Sequence, residues 1–331
     1  MFEFSEVMKK PGALIDWAGK VTYGVELSQE ESTITEALDQ WARELGQNGD
    51  PKHELAAMIT KTFANEEVSA PSELLSRIFN ETSIGEFDDY QEIYDPKNTV
   101  MAHEAIIEGN VDRSFIEHTV GKPQWKSLAA ETDISMQDLR RGGYRTVANL
   151  ISYIKDALEL KKVKMTMEYI DSLVVAGNDN YIAESGSTPT AAAMDELALY
   201  LHDVTNGETP VAFMLNKYRQ QVAKLSQAER WPTDNVKTLY NSTGFIDQYA
   251  GVDLMSYSGQ KKLADGSLIL PDKTIYGVAG KIGSAITRGD ARVLQEENIN
   301  TERVHIKVTG FTFGWCVDKN HLDKIAKIVL A

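Results

Sequence analysis

The sequence predicts an α+β fold, and three observations lead there. A helical stripe runs without a proline from Tyr144 to Ala176; the stretch from Pro189 to Leu294 alternates helical and strand patterns; and Val304, Ile306, Val308, then Phe311, Phe313, Trp315 and Val317 alternate as strands do.

The elements follow in order. Ile34, Ala37, Leu38, Trp41 and Leu45 share one helix face, with Gly46 placed to end it. Asp50-Pro51 reads as the N-cap and first position of a second helix bearing Leu55, Met58, Ile59, Thr62 and Phe63. Leu74, Leu75, Ile78 and Phe79 predict a third, short helix, and Gly85 to Asn98 turns acidic and irregular, as a linker does. Thr99 to Ile107 and Val111 to Val120 are β-prone and flank the turn-like Glu108-Gly109-Asn110; Gly121, Lys122 and Pro123 break the second run before Trp125 to Ser135. This predicts a long, polar β-hairpin. A two-stranded ribbon is marginal in water, so something must lie beneath it.

Gly142-Gly143 precedes the long stripe, in which Val147, Ile151, Ile154 and Leu158 continue through Met165, Tyr169 and Leu173. Unbroken, that helix would be roughly 50 Å long, more than one small domain requires. Lys161, Lys162 and Lys164 mark either a kink or an exposed face. After the polar bend Asn178 to Ser187, Pro189 opens a helix with Met194, Leu197, Leu201 and Val204 on one side, ending near Gly207. Pro210 to Leu215 reads as a buried strand, Asn216 as the cap of a helix bearing Tyr218, Val222 and Leu225, and Val236 to Tyr240 as a further helical piece. Val252 to Ser256 is a strand, and Asp265-Gly266 a tight turn before a strand at Ser267 to Leu270. The alternation slips phase at Gly310, which predicts a β-bulge, and His321 to Val329 predicts a closing helix packed through Leu322, Ile325 and Ile328.

At 331 residues the chain can build two or three compact units. Its 42% apolar and 25% charged content are those of a soluble globular protein. No run reaches the roughly 20 apolar residues of a membrane span, and Met1 to Lys10 lacks a signal-peptide core, so cytoplasmic synthesis is expected. The single cysteine, Cys316, excludes an intrachain disulfide and a cysteine-rich zinc site; among Phe313, Trp315 and Val317 it reads as a buried small hydrophobe. The net charge of −15 is uneven: residues 1–98 hold 8 Lys and Arg against 20 Asp and Glu, a balance of −12. That acidity, and the lack of a basic stripe, argue against tight nucleic-acid binding while leaving room for enclosing nucleic acid.

A search for chemistry yields no catalytic, cofactor-binding or metal residues. None of His53, His103, His118, His202, His305 and His321 forms a metalloprotease pair, and His103 facing His118 across the hairpin would lack further ligands. Gly280 to Asp290, with Lys281 and Arg288, suggests a phosphate loop but lacks the Gly-Lys-Ser/Thr ending, so a structural loop outweighs it. Ser185-Gly186-Ser187 and Ser256-Tyr257-Ser258-Gly259 are not nucleophile elbows. The acidic pairs Glu30-Glu31, Glu66-Glu67 and Asp88-Asp89 read as solvated faces.

The order of elements, an irregular N-terminal region, a long hairpin, a glycine-hinged long helix, an α/β unit and a terminal strand, resembles the major capsid proteins of tailed bacteriophages. The resemblance is architectural and covers about residues 99–331. It implies an acidic helical N-terminal region at 1–98, an extended loop at 99–135 lying over a neighbouring subunit, and a peripheral domain at 136–188 containing the spine helix. An axial domain at 189–294 gathered around five- and six-fold axes, and a return to the peripheral domain at 295–331, complete it. It further implies a non-enzymatic protein that assembles with itself into pentamers and hexamers of a virion shell. That shell would enclose double-stranded DNA without reading its sequence, with portal, scaffold or decoration proteins as partners and no membrane. In relatives an N-terminal segment can be an arm, an inserted layer or a region removed by proteolysis. Some members cross-link a hairpin lysine to an asparagine of a neighbour, for which Lys122 and Lys126 are positioned. An encapsulin-like compartment shares the architecture; an α/β enzyme or ligand-binding protein with a site near Gly280, or a phage tail or scaffold protein, are the other readings.

Overall fold

A computed structural model describes residues 11–44, 73–94, 119–205, 207–229, 242–258, 263, 265–289, 292–298, 303–310 and 312–331. Helices α1 (Pro11–Tyr23) and α2 (Gln29–Glu44) come first, then α3 (Glu73–Ile78), which runs directly into strand β1 (Phe79–Ile84). Strands β2 (Glu92–Tyr94), β3 (Thr119–Gly121), β4 (Gln124–Ser127) and β5 (Ala130–Ser135) lead to α4 (Met136–Gly142) and the 30-residue α5 (Tyr144–Leu173). An alternating stretch follows: β6 (Tyr181–Glu184), α6 (Ala191–Val204), β7 (Val211–Leu215), α7 (Asn216–Glu229), β8 (Gln248–Tyr249), β9 (Val252–Tyr257) and β10 (Thr274–Val278). The remainder is β11 (Gly283–Arg288), β12 (Arg292–Asn298), β13 (Arg303–Thr309), β14 (Thr312–Val317), a 3-10 turn (Lys319–Lys324) and β15 (Ile325–Leu330).

Among the described residues the strands form four sheets: β1-β11-β14-β4, β6-β15-β10-β7-β9-β8, β12-β13-β5 and the ribbon β2-β3. Helix α5 is the beam beneath them. It runs unbroken for about 45 Å, and its buried side spans Val147 and Ile151 through Met167 and Ile170. Gly143 makes the elbow before it at φ +53°, and an added Cβ would meet the Asp39 carboxylate 2.1 Å away, so only glycine serves there. Helices α1 and α2 close on this beam from the acidic end of the chain. Leu14, Trp17 and Leu38 are fully buried, Trp17 Nε1 donates to Thr35 Oγ1 at 2.9 Å, and Tyr23 Oη donates to Asp156 at 2.6 Å.

The lysine cluster resolves to neither expectation alone: the helix does not kink, Lys161 faces solvent and Lys162 is buried. Several other expectations need correction. Phe79 opens β1 and does not close the preceding helix. The expected linker holds β2, whose partner is β3, so the ladder begins at Glu92, upstream of Thr99. Trp125 and the residues to Ser135 belong to β4 and β5, which pair with β14 and β13 and not with the ribbon. Gly310 is not a bulge. At φ +106° it lets the chain leave the β12-β13-β5 sheet and enter the four-stranded one, so the phase slip separates two strands with different inner faces. The bond from Leu263 N to Ser267 O closes the turn that precedes Ser267, and from there Leu268 makes only an isolated bridge before Ile269 and Leu270, buried in a bend, so no strand forms. From Gly283 the expected glycine-rich loop is the strand β11, between β1 and β14.

Of the expected closing helix His321 to Val329, the residues to Lys324 lie in the 3-10 turn and the remainder is β15, parallel to β6 and antiparallel to β10. Apolar spacing alone does not separate a short buried helix from a strand covered on both faces, and Ile325, Ile328 and Val329 supply the β-branching that favours the strand. The expected C-terminal helix thus completes the sheet of the alternating unit. Nor do residues 73–94 stand apart from the rest: β1 pairs in parallel with β11 from Phe79↔Gly283 to Ile84↔Arg288. The expected helices at Asp50 and Val236, the hairpin run Thr99 to Ile107, and His53, His103 and His118 lie outside the described residues.

Candidate functional site

The sheet β1-β11-β14-β4 has two working faces because side chains alternate across it. Phe313, Trp315 and Glu81 point to helix α5. Trp315 Nε1 donates to Thr166 Oγ1 at 2.9 Å, its ring stacks on Tyr169 at 5.4 Å, and Phe313 meets it edge-on at 5.0 Å. Lys162 enters this aromatic wall from the helix, its Nζ 4.5 Å from the Phe313 ring and 3.8 Å from Glu81 Oε2. Burial pulls the lysine below its usual range and pushes the Glu81 carboxyl above its own, each charge partly offsetting the other's displacement. Glu81 Oε1 is buried without a hydrogen bond.

The opposite face carries Ser284, Ile286 and Cys316, and here the ribbon docks. Tyr94 lies buried against Ile286 and Cys316, with Ile84, Tyr90 and Trp125 around the rim. Its hydroxyl donates to Cys316 Sγ at 3.2 Å, and Ser284 Oγ donates to Glu92 Oε1 at 2.7 Å. Gly121 pairs with Glu92 across the ribbon and takes no side chain because the Tyr94 ring covers its Cα; an added Cβ would meet the Tyr94 hydroxyl at 1.9 Å. Glu92 and Tyr94 point inward, and between them Ile93 points outward. Ile93 and its cross-strand partner Val120 are 69% and 52% exposed, leaving an apolar outer face.

A second outward surface lies on β12-β13-β5. Val304, Ile306 and Val308 face the core, which turns His305 and Lys307 to the surface. His305 Nδ1 lies 2.8 Å from Asp133, Glu131 is paired with Lys307, and Glu296 is the register partner of His305 on the other side.

Residues singled out from the sequence fall as follows. The segment at Gly280 is tied down by backbone: Ala279 N donates to Lys324 O, Ile282 N to Ile78 O, and Asp318 N to Ile282 O. The Glu208 carboxylate lies against Gly280, where a phosphate would need to approach. Lys281 donates to Asn80 at 2.8 Å, and Arg288 sits over the Trp125 ring at 5.6 Å and donates to Glu86 O. Cys316 is buried, as expected, but has polar company in Tyr94. His202 meets Ala250 O at 2.9 Å, and His321 lies 3.4 Å from Asp318. Lys126 sits on β4 near Trp315 and outside the ribbon, and Lys122 lies between β3 and β4. Among the described residues no group of three or more His, Cys, Asp or Glu is arranged to hold a metal ion. From the sequence, Ser284 and Glu81 do not stand out, Glu92 falls in the expected linker, and Lys162 reads as part of a kink or an exposed face. The available signal was the spacing of Glu92 and Tyr94, two residues apart, in a stretch taken for linker.

No family model matches the chain, and no curated protein matches it. Solved structures do. The capsid of an empty GTA particle matches with a TM-score of 0.52 at 15% identity, over 78% of this chain and 89% of that one. A structure of Mycobacterium phage Cain matches at 0.51 and 11% identity, over 81% and 93%, and the capsid of the cyanophage P-SCSP1u at 0.50 and 12%, over 78% and 88%. At such identities the likeness is one of fold: the chain has the tailed-phage capsid protein fold, an α+β architecture.

Proposed function

We propose that this chain is a major capsid protein, assembling with itself into pentamers and hexamers of an icosahedral virion shell around double-stranded DNA. The observation that carries the reading is the ribbon β2-β3: its inner face is seated on its own sheet while Ile93 and Val120 remain bare, so its outer face needs a neighbour. The capsid fold supplies that neighbour as another copy, through head-to-tail contacts that close into rings. In this reading α4, α5 and the four- and three-stranded sheets form the peripheral domain. The six-stranded sheet with α6 and α7 forms the axial domain, to which β15 returns. The acidic surface suits a container that does not grip its DNA, and the role is structural, with no reaction assigned. Portal, scaffold and decoration proteins are the further partners this role entails.

Light scattering with negative-stain microscopy, on the chain expressed with its neighbouring genes, tests this. Closed particles of megadalton mass containing DNA are expected. Protein-filled particles would make it a compartment shell, and a monomer or dimer with all partners present would refute both.

A further inference from the structure

The ribbon is seated on its sheet through a half-buried carboxyl group, whose ionised form Ser284 and Cys316 favour and burial and Asp318 oppose. Glu92 Oε1 accepts from Ser284, and Glu92 Oε2 is buried with no hydrogen-bond partner. Among the described residues, the groups acting on Glu92 from the packed elements are Ser284 of β11, Cys316 of β14 and the Asp318 carboxylate that follows β14; Tyr94 of β2 reaches the same sulfur. Asp318 is itself 4% exposed, accepts from Asn320 N at 2.8 Å, and has His321 at 3.4 Å. The one formal charge acting on Glu92 is thus a second carboxylate. A protonated Glu92 carries no charge to hydrate, whereas an ionised one gains by reaching water.

We propose that the proton on Glu92 is a latch: it holds the ribbon β2-β3 against the four-stranded sheet, and its loss loosens the ribbon while the rest of the fold stays closed. The latch acts locally, since the side chains that seat the described part of the ribbon, Glu92↔Gly121 to Tyr94↔Thr119, are Tyr94 and Glu92. Burial, first, and Asp318 raise the Glu92 carboxyl above its ordinary 4.5. Because the folded value is raised, the latch is fully engaged below the unfolded value and weakens as pH rises through the folded one. The device does not depend on the shell reading, though in a shell it would govern how firmly a subunit presents its outer apolar face.

Hydrogen exchange of the full chain, followed by mass spectrometry between pH 5 and pH 8 and corrected for intrinsic rates, tests it in peptides covering 92–94 and 119–121. Wild-type protection there should fall about tenfold for each unit by which the carboxyl is raised, while peptides covering β7 hold steady. Glu92→Gln should remove the pH dependence. Ser284→Ala, which takes away a donor that favours the ionised form, should move the midpoint to higher pH. Unchanged wild-type protection across the range, the same pH dependence in Glu92→Gln, or an unmoved midpoint in Ser284→Ala would overturn the proposal.

Discussion

Lys162 brings a charge onto the buried side of a helix whose other buried residues are apolar except for the hydroxyls of Ser152 and Thr166. Its partner Glu81 comes from β1, 81 positions earlier, and the Phe313 ring covers the gap between them. Desolvating both groups costs about as much as their attraction returns, so the pair adds little net stability yet penalises any arrangement that separates it. Sliding β1 by one residue would turn Glu81 to the Ser284 face and strand the lysine, which makes the pair a register pin for a parallel strand. Lys162→Met should therefore cost about 3–5 kcal/mol, while Lys162→Met with Glu81→Leu should come within about 1 kcal/mol of wild type. Urea unfolding midpoints of the two single variants and the double variant measure the coupling. Equal losses in Lys162→Met and the double variant would show that the pair is not coupled.

Helices α1 and α2, with α3 and β1, turn what reads as an acidic arm into a structural layer. The face of α1 formed by Leu14, Ile15, Trp17 and Ala18 is buried, Thr22 donates to Asn149 of α5 at 3.1 Å, and β1 lies beside β11 along its length. Each large apolar side chain contributes about 1.5–3 kcal/mol on burial, so a cut that removed β1 would uncover several times that amount. Intact-mass measurement of assembled particles should find β1 retained, and a mature chain beginning after Ile84 would contradict this. At this scale the sequence showed its long-period features well. Helices α2, α5, α6 and α7 were visible because a polar side has to alternate with a buried one over several turns. Sheet membership was not. The strand Ile325 to Leu330 is covered on both faces, Lys327 included, and so lacks the polar-out alternation that marks a strand, while Leu322, Ile325 and Ile328 mimic a helical spacing; β2 is described only over Glu92–Tyr94, which shows a single alternation. Pairings such as Glu81 with Lys162 or Glu92 with Ser284 join positions 81 to 192 residues apart, and nothing local in either segment announces the other.

Over the whole molecule, charge and shape pull against one another. Each copy carries a net charge of −15, most of it in the first 98 residues, so identical subunits brought together repel. Among the described residues, two kinds of surface are available to bring them together. One is apolar: Phe87, Ile93, Val120 and Leu199 are all more than half exposed. The other is the mixed-charge face of His305, Lys307, Glu131 and Asp133, whose groups are already paired within the subunit and have less to gain from a neighbour. Association should therefore rest on apolar burial opposed by long-range repulsion. Added salt shortens the Debye length from about 14 Å near 50 mM to about 4–5 Å near 500 mM, weakening the repulsion and leaving apolar contact intact. The protein concentration at which particles form should consequently fall as sodium chloride is raised over that range, as followed by static light scattering. If that concentration rises instead, the copies are held together by ion pairs across their interface, and the acidic surface must then face a basic partner that the fold has kept on another side of the same chain.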